Sequence, residues 1–161
     1  MEIIVHLHGN APGSGYIDNL KVGDELRIVF PRGHKMYNDA VKRQVFFGDE
    51  TSLAFAFAMH PFLKQNHHEY HFYLELDAVN AGIPDLLGLD NCTVLTKRET
   101  FISEQLLAML PVFSEQVWKD ANFLLTGNAK SVQTIRKAIK RIDITGRIFA
   151  KAYWAEGRAG L

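Results

Sequence analysis

The sequence predicts an α/β domain built on an open, mainly parallel sheet with helices on both faces. Three observations carry that prediction. From Lys42 onward, short apolar runs alternate with segments at helical spacing, and parallel strands need such crossover connections. Several of the runs are continuously apolar, which suits strands covered on both sides. Val132, Ile135, Ile139 and Ile142 mark one face of an amphipathic helix.

In chain order, residues 1–38 have a different texture from residues 39–161. Met1 to His8 alternates loosely and is β-branched, so it reads as a strand. The stretch from Gly9 to Gly15 reads as a flexible turn, Tyr16 to Leu20 as a short helix, and Glu25 to Phe30 as a strand stopped by Pro31-Arg32-Gly33. Gln44 to Gly48 is a short apolar strand. Thr51 to Lys64 is a helix candidate, but Phe55 and Phe57 alternate with alanines, which leaves a strand open, and Pro61 is expected to end or kink a helix there. Tyr70 to Leu76 and Cys92 to Thr96 read as strands. Ile102 to Leu110 has helical spacing, Asn122 to Gly127 is a strand, Lys130 to Arg141 a helix, and Arg147 to Tyr153 a final strand.

Composition bounds the function. At 161 residues the chain is about one domain. Its 47% hydrophobic and 22% charged residues argue against disorder. Eighteen basic residues balance eighteen acidic ones, which removes the global argument for nucleic acid or an anionic membrane. The lone Cys92 has no partner for an internal disulfide, and with no basic, apolar leader in MEIIVHLHG a cytoplasmic location is expected.

Two strand-to-helix bends carry the chemistry. In Gly48-Asp49-Glu50-Thr51-Ser52, a glycine ends an apolar strand and hydroxyl residues open the next helix. Such a bend places amides and a positive helix end at the carboxyl edge of the sheet, where dinucleotide phosphates bind. Simple helix capping by Thr51 or Ser52 explains the same residues, and two acids beside the turn oppose a phosphate. Gly127-Asn128-Ala129 repeats the device, and two such turns on one edge make a crevice. From His8-Gly9 to Ser14-Gly15, glycine density offers a third cradle or a plain surface turn.

Other candidates are weaker. His60, His67, His68 and His71 match no zinc spacing, so no metal is expected. No Ser–His–Asp set or carboxylate pair stands out, which suits a protein that positions cofactors. Glu75 and Asp77 end a strand where a ribose-binding acid would favour NADH. Arg136, Lys137, Lys140 and Arg141 form a solvated face or, alternatively, contact the 2′-phosphate of NADPH. Tyr153 and Trp154 offer rings that stack on a planar ligand or pack on the domain.

The string Gly48-Asp49-Glu50-Thr51-Ser52-Leu53-Ala54, together with the tail Tyr153-Trp154-Ala155-Glu156-Gly157-Arg158-Ala159-Gly160, resembles the siderophore-interacting protein family of ferredoxin reductase-like flavoenzymes. His8-Gly9 to Gly23-Asp24 is similar to that family's segment leading out of its flavin barrel. The resemblance implies that residues 1–38 are the end of an FAD-binding barrel and residues 39–161 an NAD(P)-binding domain. It implies FAD and NADH or NADPH as cofactors, and a ferric siderophore as substrate. By position, His8, Gly9, Gly13 and Ser14 would lie near the FAD pyrophosphate. Gly48, Asp49, Glu50, Thr51, Ser52, Gly127, Asn128 and Ala129 would line the nicotinamide nucleotide crevice. Tyr153 and Trp154 would approach the flavin, and Lys151 and Arg158 would meet an anionic siderophore. Most of the barrel is expected to lie outside this sequence, so homodimerisation through the N-terminal strands is expected. The alternative is a non-catalytic nucleotide-binding or interaction module.

Overall fold

The computed structural model describes residues 3–7, 9, 12–29, 37–97 and 101–158. Five strands form one sheet: β1 (Arg43–Asp49), β2 (Glu69–Leu76), β3 (Cys92–Thr96), β4 (Asn122–Asn128) and β5 (Ile148–Trp154). Their order is β3-β2-β1-β4-β5 and every pairing is parallel. From β1 the chain builds outward through β2 and β3, then crosses to the other side for β4 and β5. The carboxyl ends of β1 and β4 are thus neighbours whose connections leave in different directions. This is the predicted fold class.

Both faces are covered, as the continuous apolar runs required. Phe46, Phe72, Leu74 and Leu124 point to one side and pack with Leu53, Ala56, Met59 and Leu63 of α2 (Leu53–Gln65). Val45, Phe47, Tyr73, Phe123 and Leu125 point to the other side. There they meet Leu107 of α4 (Glu104–Ala108) and Val132, Ile135 and Ile139 of α6 (Ala129–Ile139). Two single-turn helices, α3 (Ile83–Leu86) and α5 (Pro111–Ser114), fill connections.

Several expectations are corrected. The stretch from Leu53 is a helix, and Pro61 does not end it; Pro61 is exposed, so the missing amide bond falls on the outer side. The helix expected over Ile102 to Leu110 divides at Leu110, the residue before Pro111, where an αR backbone is disfavoured. The amphipathic helix stops at Ile139, short of Ile142. Residues 3–7 and 24–29 form no strand among the described residues. Their alternation is real, with Ile3, Val5, Leu7, Leu26 and Ile28 all exposed, but a strand needs a ladder partner and among the described residues none pairs with them. The short helix lies earlier than expected, as α1 (Pro12–Asp18), so Gly13 and Ser14 are helical rather than in a flexible turn. His8, Phe30 with Pro31-Arg32-Gly33, and Ala159-Gly160 lie outside the described residues. Among the described residues no helix is long and apolar enough to cross a membrane.

Candidate functional site

The two bends open on the same rim of the sheet. Phe47 of β1 sits beside Leu125 of β4 in register, so Gly48-Asp49 and Gly127-Asn128 are side by side at the carboxyl end. Beyond Asp49 a single 3₁₀ turn (Glu50–Ser52) leads into α2 on one face, and beyond Asn128 α6 starts on the other. β5 runs next to β4 and brings Trp154 level with Asn128.

Asp49 is the centre of the rim and is 2% exposed. Its Oδ1 accepts from the Thr51 amide at 2.9 Å and the Thr51 hydroxyl at 2.5 Å. Its Oδ2 accepts from the Asn128 amide at 2.8 Å and from Trp154 Nε1 at 2.8 Å. Asn128 caps α6, accepting from the amides of Lys130 and Ser131. Gly127 has φ +98°, and a Cβ there would lie 2.5 Å from Asp49 Oδ2. Ser52 is fully buried and its hydroxyl accepts from Thr126 Oγ1 at 2.8 Å. Between Gly48, Asp49, Glu75 and Asn128 only about 10 Å³ is left open, room for one water at most. The bends thus share an edge, as the sequence implied, but the amides of Thr51, Asn128, Lys130 and Ser131 are taken by side chains of this chain.

Two more buried acids flank Asp49. Glu50 accepts from the Asp77 amide at 2.7 Å, from Asn80 Nδ2 at 3.2 Å and from Lys97 Nζ. Burial alone would raise its carboxyl, but the Lys97 ammonium and the Asp77 amide more than offset this and hold it below the usual range. Glu75 accepts from the Ile102 amide at 2.7 Å and the Ser131 hydroxyl at 2.6 Å. With both oxygens engaged and the residue 7% exposed, Glu75 is not free for a ribose; it braces β2 against α6.

Burial raises the Glu75 carboxyl above its ordinary value, with the Ser131 and Ile102 bonds pulling the other way. The folded protein therefore holds that proton more tightly than the unfolded chain. The stability it contributes is complete below the ordinary glutamate range and is lost as pH rises through the raised value. Glu75→Gln keeps an acceptor for Ile102 and is expected to flatten that loss. Urea midpoints of both proteins between about pH 4 and pH 8 check it; parallel curves would refute the assignment.

The aromatic tail meets the rim. Tyr153 and Trp154 are half-buried. Phe101 lies 6.2 Å from the Trp154 ring, and Lys130 Nζ sits 4.9 Å over Phe101 while pairing with Glu156 at 3.1 Å. At the β3 end of the rim is a cavity of about 550 Å³, lined in part by Thr96, Phe101, Ser103, Leu106 and Met109. The sequence reading missed this cavity; Leu106 and Met109 on an exposed helical face were its only signal.

The remaining candidates are not gathered there. Gly9 and the helix carrying Gly13 and Ser14 lie in a part of the chain from which, among the described residues, nothing before Tyr37 joins either core. Lys151 is exposed mid-strand on β5, and Arg158 is exposed after a turn. Arg136 and Lys137 on α6 and Lys140 just past its end are exposed, and Arg141 pairs with Glu104. The histidines disperse: His68 meets the Tyr37 hydroxyl, His71 meets Thr93, and His60 meets Tyr70 and Asp90. Among the described residues no three His, Cys, Asp or Glu side chains converge as a metal would require.

No protein-family model and no curated protein matches the sequence. Solved structures do match the fold. Full-length CYP116B46 from Tepidiphilus thermophilus aligns with a TM-score of 0.68 at 14% identity, over 94% of this chain and 20% of that one. The siderophore-interacting protein SipS from Aeromonas hydrophila aligns with a TM-score of 0.59 at 18% identity, over 93% of this chain and 64% of that one. The chain thus spans a fifth of one and under two thirds of the other. At these identities the likeness is one of fold, and the fold is the expected α/β domain on an open parallel sheet.

Proposed function

We propose that this chain is the NAD(P)H-binding module of a flavin-linked reductase whose substrate is a ferric siderophore. The observation that carries the nucleotide reading is the strand order β3-β2-β1-β4-β5. Open parallel sheets bind ligands at the carboxyl edge where the order reverses, and here that point lies between β1 and β4. NADH or NADPH would lie across this rim, with Tyr153 and Trp154 where the nicotinamide meets the flavin and the cavity near Phe101 large enough for a nucleoside. Bound there, the nicotinamide supplies a hydride; the chain's own residues orient the ring and shield it from water. The siderophore reading draws on the GDETSLA and YWAEGRAG strings and on the fold shared with SipS. FAD would be shared with a barrel joined to residues 1–38, and Lys151 and Arg158 would meet the anionic substrate.

Titration with NADH and with NADPH, followed by tryptophan fluorescence, tests the proposal. Trp154 is the reporter, because Trp118 lines a separate cavity at the opposite rim, next to Lys119 and Ile144. Binding below millimolar concentration is expected, and no response to either nucleotide would remove the reading. Adding FAD and a ferric chelate separates the second reading, a non-catalytic module: flavin retained and iron reduced favours the reductase. The second reading gains from Asp49, whose carboxylate takes amides that a phosphate would use. The exposed Ile3, Val5, Leu7, Leu26 and Ile28 are the proposed surface for a homodimer, which light scattering reads as a doubled mass.

A further inference from the structure

We propose that Asp49 is a built-in anion that closes the paired bends to phosphate and so determines which part of a nucleotide this rim accepts. The consequence for a nucleotide rests on the reading above; the anion site itself does not. Bends at a strand-order reversal normally aim their amides at a ligand's phosphates. Here the amides of Thr51 and Asn128, one from each bend, converge on a single carboxylate, joined by the Thr51 hydroxyl and the Trp154 indole. Four donors use the lone-pair sites of a carboxylate completely.

The surroundings are built for that charge. Asp49 lies against the start of α6, where the positive end of an eleven-residue helix favours an anion. Gly127 lacks the Cβ that would strike the carboxylate. The second and third amides of α6, those of Lys130 and Ser131, are taken by the Asn128 side chain, whose own Nδ2 is buried with no partner. A phosphate brought here would face a buried negative charge and would find the amides of Thr51, Asn128, Lys130 and Ser131 already taken. It would also have to expel Asp49 and release Trp154. A dinucleotide on this rim therefore keeps its diphosphate outside the bends, and the rim selects for its uncharged ends.

The test is anion rescue of Asp49→Ala. Thermal midpoints are measured for wild type and variant in inorganic phosphate and in chloride at matched ionic strength. The variant is expected to melt below wild type in chloride and to regain several degrees in phosphate, with wild type unmoved. A wild type that gains as much as the variant overturns the proposal, as does a variant that phosphate does not lift. If Asp49→Ala fails to fold, the Thr51 and Asn128 amide resonances of the wild type are followed during titration with inorganic pyrophosphate. They are expected to stay in place, and a saturating shift of both overturns the proposal. Neither arm uses NADH or NADPH, so failure of nucleotide binding and failure of this inference read out separately.

Discussion

Gly127→Ala is expected to destabilise the domain by about 3 kcal/mol or more. Two effects add. At φ +98° an alanine is strained, by about 1–3 kcal/mol. Its Cβ would also lie 2.5 Å from Asp49 Oδ2 and 2.6 Å from Cγ. Asp49 cannot swing away cheaply, because doing so abandons Asn128 and Trp154 at 2.8 Å each, and bonds to a charged group are worth about 1.5–3 kcal/mol. Urea unfolding measures the loss as a shifted midpoint at constant slope. In an Asp49→Ala background the collision is gone, so the same substitution should cost only its backbone strain. A double-mutant cycle reads that difference as coupling of about 1 kcal/mol or more. A loss below about 1 kcal/mol in the parent protein would refute the packing described.

Gly146→Ala is expected to be as damaging at the opposite rim. A Cβ on Gly146 would sit 1.8 Å from the Ala121 carbonyl oxygen and 2.5 Å from its carbon. Both obstacles are backbone, so no rotamer relieves them. The two segments are also laced together: Thr145 donates to Lys119 O at 2.8 Å, Arg147 to Asn122 Oδ1 at 3.0 Å, and Phe123 to Arg147 O at 2.8 Å. Relief therefore requires β5 to peel from β4, at a cost of about 3 kcal/mol or more. Gly82→Ala is the control. It meets nothing within 4 Å at φ −86° and should stay within about 0.5 kcal/mol of the parent. Only the Gly127 substitution should also change the Trp154 emission of the folded protein, because Gly146 is far along the strands from Asp49.

The strands were legible because burial on both faces writes itself as unbroken apolar runs, and all five lie within a residue or two of their expected bounds. α2 was ambiguous because Phe55 and Phe57 mimic a period of two. The helix wins through Leu53, Ala56, Met59 and Leu63, which bury together only at helical spacing. α3 and α5 are too short to show a period. The opposite error arose at Ile3, Val5 and Leu7, where a strand pattern exists but, among the described residues, no neighbouring strand completes it. At the site, the shared rim was readable, since both bends follow strands of one parallel sheet. The role of Asp49 was not, because its partners Asn128 and Trp154 lie 79 and 105 residues away. The one signal was an acid placed directly after Gly48, where a phosphate site would want none.

Those separations shape how the domain assembles. β1 can pair with β2 across the single α2 crossover, but the rim is finished only when Asp49 has met Asn128 and Trp154, 79 and 105 residues along the chain. Loop closure over such spans must be met in entropy before any contact rewards it. The rim is therefore expected to form with the step that locks β4 and β5 onto β1. Any molecule that binds the finished rim and not the open chain will raise the melting point of the entire sheet, by RT ln(1 + [L]/Kd).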